Sequence, residues 1–199
     1  MSQCAEALFR SVAICVGGVP GAGKTTLLRA HVEWEMRDMQ VTGSSIVKSI
    51  IAPASVNDLD SWDPERRQAV REQSIQELRR IQSQCQGRLL VDGHFTLRNR
   101  TTGVLEPIFT PEDKEFFQAL VIIHPQPEAV IAQRENDGRA RGNESIDDIS
   151  AHLEVELREG RWLAREMGVP LLELAECELP LRLHAMTKFL NKIAPLGAL

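Results

Sequence analysis

Between a short, almost wholly apolar run, Ser11-Val-Ala-Ile-Cys-Val16, and a helical repeat carrying Leu27, Leu28, His31 and Val32 lies the segment Gly18-Val19-Pro20-Gly21-Ala22-Gly23-Lys24-Thr25-Thr26. Its first eight residues satisfy G-x-x-x-x-G-K-[ST] at every position, and the pattern sits where it must, after a buried strand and at the opening of a helix. Glycines let the backbone turn tightly enough for successive N–H groups to converge on phosphate oxygens, and the helix that follows adds the positive end of its dipole. Gly18, Val19, Pro20, Gly21, Ala22, Gly23, Lys24, Thr25 and Thr26 are therefore expected to cradle the phosphates of a nucleotide, with Lys24 bridging the β- and γ-phosphates. The Thr25 hydroxyl is the expected ligand for Mg²⁺.

The rest of the chain alternates strands with helices. Further strands are expected around residues 40–45 and at 87–92, 118–124 and 169–174. Asp63-Pro64 is a helix start, with Asp as N-cap and Pro in the first turn, and predicts a helix to about Gln84. Thr110 with Asp113 and Ser145 with Asp148 are capping boxes that open a short and a long helix. In the long helix, Ile146, Ile149, Leu153, Leu157, Ala164 and Met167 are expected to face the core. A helix is expected from Pro125 to Arg134 and a last one carries Leu183, Met186, Leu190 and Ile193. Residues 46–61 are mixed, 97–109 are turn-rich, and 135–143 have no periodicity and read as a mobile loop. Short apolar strands alternating with helices specify an α/β fold with a parallel sheet, whose ligands bind beyond the carboxyl ends of the strands. Trp34 and Trp62 read as core in preference to base-stacking residues, and Trp162 as core or interface.

Composition bounds the function class. A chain of 199 residues accommodates one domain with a short inserted lid, spanning 1–199. The balance of 23 Lys+Arg against 28 Asp+Glu gives a net charge of -5, which argues against nucleic acid as a partner and confines any anion site to a local patch. No apolar run approaches membrane-spanning length and the first residues lack the pattern of a secretory signal, so the chain reads as cytoplasmic with no membrane partner. Cys4, Cys15, Cys85 and Cys177 show no C-x-x-C spacing, which disfavours a zinc cluster or a disulfide framework.

Two further clusters carry chemistry. Asp92, closing the apolar run Arg88-Leu-Leu-Val91, fits the acid that holds Mg²⁺ from a neighbouring strand. His94, two residues on, either contacts the acceptor or stabilises the turn. Arg134, Arg139 and Arg141 gather around the glycine-flanked loop, where closure brings guanidinium groups onto the transferring phosphate; the plainer reading is a solvated basic loop.

Gly18 to Thr26, the Asp63-Pro64 helix, Val91-Asp-Gly-His94 and the arginine-bearing loop before Ser145 together resemble the archaeal-type adenylate kinases and related P-loop nucleotide kinases. The resemblance spans roughly Ala13 to Leu174 and implies a three-layer P-loop NTPase fold with a five-stranded parallel sheet of order 2-3-1-4-5. It also implies an acceptor region at about 44–84, a lid at about 135–144, Mg²⁺ and ATP as the donor, and relatives that are often oligomers.

The resemblance breaks at the acceptor. Arginines that hold the acceptor phosphate in that family would fall at Val56 and Asp60. Arg66, Arg67 and Arg71 on the following helix, with Ser44, Ser45 and Lys48, are the replacements on offer, although an arginine-rich helix face is commonly just solvated. The expected activity is transfer of the γ-phosphate of Mg-ATP to a nucleoside monophosphate. The alternatives are a small-molecule hydroxyl kinase on the same scaffold, with Asp92, Asp60 or His94 as base, and a P-loop ATPase switch or assembly factor.

Overall fold

The structure is a computed structural model and describes residues 11–99, 101–136 and 144–195. Five strands form a parallel sheet: β1 (Ala13–Gly17), β2 (Met39–Thr42), β3 (Leu89–Asp92), β6 (Ala119–Ile123) and β7 (Leu171–Leu174). Their order is β2-β3-β1-β6-β7, which among the sheet's own strands is 2-3-1-4-5 as expected. The central strands β1, β3 and β6 are buried at every position, as a parallel sheet covered on both faces requires. A separate two-stranded hairpin, β4 (Thr96–Arg98) with β5 (Leu105–Pro107), occupies the stretch that reads as turn-rich.

Among the described residues seven α-helices cross between or flank the strands: α1 (Lys24–Trp34), α2 (Gly43–Ile51), α3 (Pro64–Gln82), α4 (Pro111–Phe116), α5 (Pro127–Asn136), α6 (Ile146–Met167) and α7 (Leu179–Ile193). They cover both faces. Val16, Leu28, Val121, Leu153 and Met186 belong to one core cluster, and Cys15, Ile75, Leu120, Phe95 and Leu163 to the other. The local start signals act as anticipated. Asp63 accepts a 2.8 Å bond from the Arg66 amide, and both capping boxes, Thr110 with Asp113 and Ser145 with Asp148, are formed.

Several expectations are corrected. The second strand ends at Thr42 and α2 begins at Gly43, so Ser45, expected at the end of that strand, lies on a helix and is exposed; the stretch that reads as mixed holds the rest of α2 and a 3-10 turn, Val56–Ser61. Glu135 and Asn136, read as the start of the mobile loop, extend α5, while residues 137–143 of the expected lid, Arg139 and Arg141 among them, lie outside the described residues. Trp34 is 82% exposed at the last position of α1, and Ile146 is 42% exposed at the first position of α6; at a helix end the apolar stripe has run past its packing partner. Trp62 is half-buried, with the Arg66 guanidinium stacked 3.5 Å from its ring centroid.

Phe95 locks the end of β3 to α6. Its ring is fully buried, and a Cβ placed on Gly160 of α6 would lie 2.8 Å from it. Gly160→Ala should gain up to about 1 kcal/mol in helix propensity. Overpacking should cost more, about 1–3 kcal/mol. The expected net result in a denaturant titration is lower stability, and a stabilised variant would show that the ring can move aside.

Candidate functional site

The site lies at the carboxyl ends of β1 and β3, where the loop Gly18–Gly23 leaves the sheet. Gly18 has φ 141°, and a Cβ there would sit 2.6 Å from the Ile123 carbonyl oxygen, so only glycine fits this turn. Gly21 and Gly23 also have positive φ, at 92° and 91°. Gly23 is the N-cap of α1 and no side chain caps that helix, which leaves the first amides of α1 as donors facing the loop.

Lys24 is buried at 6% exposure. Its ammonium donates to the carbonyls of Gly18 at 2.6 Å and Val19 at 3.2 Å and lies 3.9 Å from Asp92 Oδ1. Thr25 Oγ1 donates to Asp92 Oδ2 at 2.5 Å. The structure thus brings the loop, Lys24, Thr25 and Asp92 together. His94 also belongs here: it contacts the Gly18 backbone, and burial, followed by the Lys24 charge, holds its pKa well below the usual histidine range. Its Nδ1 is buried without a hydrogen-bond partner. Below them the Cys15 thiol is pushed well up, first by burial and then by the charges of Asp113, Glu156 and Asp92.

Arg134 reaches the same loop, donating from Nε to the Pro20 carbonyl at 2.9 Å. Its Nη1 is 2.6 Å from Glu144, which also receives a bond from Arg98 at 3.2 Å. Toward the hairpin and α4, Arg67 and Arg71 project from α3. Arg67 Nη1 lies 3.5 Å from Glu106, while its Nε is buried with no partner. Burial lowers the Arg71 pKa against the pull of Asp113, and burial raises the Asp113 carboxyl. Arg66 and Ser45 are exposed, Arg66 stacking on Trp62, and Val56 supplies no charge where an acceptor arginine was expected.

One participant was missed in the sequence. Glu156 of α6 is 1% exposed, and its Oε1 accepts from the amides of Gly18 at 3.0 Å and Phe95 at 2.8 Å. Its Oε2 accepts from the Thr96 amide at 2.6 Å and hydroxyl at 2.5 Å. The available signal was a charged residue on the stripe formed by Ile149, Leu153, Gly160 and Leu163.

The donor set fits a Mg-nucleotide. Among the described residues no group of three or more His, Cys, Asp or Glu gathers as a metal cage. A hydroxyl and a carboxylate beside an amide-lined loop suit a hard cation that takes its remaining ligands from phosphate and water. Among the described residues no helix is long and apolar enough to cross a membrane.

Comparisons place this geometry. No curated protein matches the chain by sequence. Among solved structures, shikimate kinase from Bacteroides thetaiotaomicron superposes with a TM-score of 0.57 at 16% identity, over 93% of this chain and 99% of that one. Shikimate kinase from Acinetobacter baumannii in complex with shikimate gives 0.56 at 17% identity, over 94% and 95%. At these identities the likeness concerns the fold, that of the P-loop kinases. Residues 17–150 match the family described as AAA domain, which takes in the loop, Asp92 and Arg134, and the chain belongs to that family of P-loop proteins.

Proposed function

We propose that the chain is a phosphotransferase that moves the γ-phosphoryl group of Mg-ATP to a small acceptor, with a nucleoside monophosphate as the first reading. The observation that carries the transferase reading is the buried Lys24–Asp92–Thr25 constellation at the strand ends. Mg²⁺ held there would neutralise charge on the transferring phosphoryl group. Thr25 and Asp92 are the residues that would hold it. The loop amides and Lys24 bind and orient the phosphates, and Arg134, already on the Pro20 carbonyl, stands next to them. Arg139 and Arg141 are proposed to add guanidinium groups from the same segment of chain.

A phosphate-bearing acceptor is supported by the buried, unpartnered Nε of Arg67. A guanidinium N–H without an acceptor is costly, and an anionic oxygen relieves that cost. Arg67, with Arg71 beside it, therefore supports a phosphate-bearing acceptor and replaces the arginines absent near Val56. Such an acceptor needs positioning and no base. A hydroxyl acceptor is the second reading. It is favoured by Glu106 and Asp113, which offset Arg67 and Arg71, and by the likeness of the fold to a shikimate kinase in complex with shikimate.

Coupled release of ADP, measured with a panel of nucleoside monophosphates and of small hydroxyl compounds, tests the proposal. Stimulation by a monophosphate is expected. Turnover that ignores every acceptor and responds only to a protein or RNA partner would point to an ATPase switch. Asp92→Asn should lower kcat by about 10²-fold and raise the Mg²⁺ concentration needed for half-maximal rate. An unchanged Mg²⁺ requirement would remove Asp92 from the metal site.

A further inference from the structure

The β1–β3 ladder ends at the pair Val16 and Asp92, with one last bond from the Gly93 amide to the Val16 carbonyl at 3.0 Å. Beyond it the two chains diverge, one into the phosphate-binding loop and the other into His94 and the hairpin. Glu156 spans the gap. A single oxygen, Oε1, accepts from Gly18 on one chain and from Phe95 on the other, while Oε2 takes both donors of Thr96.

We propose that Glu156 is a positioning residue for the Mg-nucleotide site: its carboxylate fixes the phosphate-binding loop relative to Asp92 by bridging Gly18 to Phe95 and Thr96. The inference rests on the phosphotransferase reading of that site. It assigns a role to a group that touches neither phosphate nor metal.

Three observations carry it. Burying a carboxylate is expensive unless hydrogen bonds satisfy it, and among the described residues Glu156 has no cation within ion-pair distance. A glutamine would cost less to bury, but it offers one acceptor oxygen, and its NH₂ would face a row of N–H donors. Only a carboxylate accepts from all four donors at once. The charge also stands close to where phosphates bind, which by itself weakens anion affinity. Its retention there is accounted for by geometry: charge-assisted bonds are short and directional, and they hold Gly18 at the first turn of the loop and Phe95 three residues past Asp92. Displacing either end changes the separation of Thr25 and Asp92, now hydrogen-bonded at 2.5 Å. Loss of an outer partner of metal-holding groups commonly costs roughly 10–100-fold in affinity or activity.

The test compares the full chain with Glu156→Gln and Thr96→Val by calorimetric titration with ATP, once in Mg²⁺ and once in EDTA, alongside thermal melts of the ligand-free proteins. The quantity read is the gain in ATP affinity that Mg²⁺ provides. Glu156→Gln should reduce that gain about tenfold, the low end of the outer-partner range. Thr96→Val removes one of the four donors and should reduce it roughly threefold, so it decides the matter if the glutamine variant does not fold. A lowered melting temperature with an unchanged Mg²⁺ gain in the folded variants would overturn the inference and leave Glu156 as a brace between α6 and the sheet. Wild-type chain that binds no ATP in either condition would overturn the phosphotransferase reading and the inference with it. A wild-type chain that binds while both variants behave identically to it would overturn the inference alone.

Discussion

Replacing Lys24 by alanine is expected to lower kcat/KM for phosphoryl transfer by about 10³-fold while the chain stays folded. The side chain is 6% exposed, and its ammonium bonds to the carbonyls of Gly18 and Val19 and lies 3.9 Å from Asp92, all within the site it serves. Little of the core depends on it, so the loss should fall on chemistry and not on stability. In a site shielded from water, a positive charge aimed at the transferring group is worth far more than on the surface. Lys24→Arg should fail as well, because a planar guanidinium is not a substitute for a compact ammonium at a buried point contact. Steady-state kinetics paired with a thermal melt separates the outcomes. Activity within tenfold of wild type would mean that the loop is not the phosphate site.

The largest effect on stability is expected at the opposite end of the sheet. Arg88, just before β3, is 1% exposed and meets Asp38 through its backbone amide at 2.7 Å, through Nε at 3.0 and 2.9 Å, and through Nη2 at 2.9 Å. His31 of α1 reaches the same carboxylate at 2.8 Å, and Arg88 continues to Asn191 of α7 at 3.0 Å. One buried carboxylate thus ties α1, β3 and α7 together. Asp38→Ala leaves a buried guanidinium uncompensated and should cost about 3–5 kcal/mol, a large part of the 5–15 kcal/mol by which a domain is ordinarily stable. Denaturant titration measures it. A cost below about 1 kcal/mol would mean that water or another acceptor replaces the carboxylate.

The same pair sets an acid limit. Burial alone would raise the Asp38 carboxyl, but hydrogen bonds from His31 and Arg88 outweigh it and hold the pKa below the ordinary value. A carboxyl with a depressed folded-state pKa contributes stability that is fully present above its unfolded value, about 3.9, and is lost as pH falls from there through the folded value. The share of the stability difference between wild type and Asp38→Asn that comes from the Asp38 carboxyl should therefore shrink as the pH falls below the unfolded value.

Local signals were legible in the sequence because each is complete within a few residues. The loop from Gly18 to Thr25, the Asp63 cap and the Thr110 and Ser145 capping boxes all specify structure that forms as expected. The parallel sheet followed from apolar runs that need no polar face. The helix α2 was not legible: it is nine residues long, begins without a side-chain cap at Thr42, and mixes serines with β-branched residues. The hairpin was hidden by strands of three residues. Asp92 was readable from its place at a strand end, but Glu156 lies 138 positions from Gly18, and Arg88 lies 50 from Asp38. Such pairs are specified by the fold and leave no spacing to read. Arg67 was one of three candidates on an arginine-rich face, and only burial against the hairpin separates it from the exposed Arg66.

Phosphorus NMR of the products formed from Mg-ATP and the stimulating acceptor examines the central claim most directly. The expected spectrum shows ADP together with one new phosphorus resonance on the acceptor, a diphosphate for a monophosphate acceptor or a phosphomonoester for a hydroxyl. ADP accompanied only by inorganic phosphate, with every acceptor recovered unchanged, would contradict phosphoryl transfer and make the chain a nucleotide hydrolase.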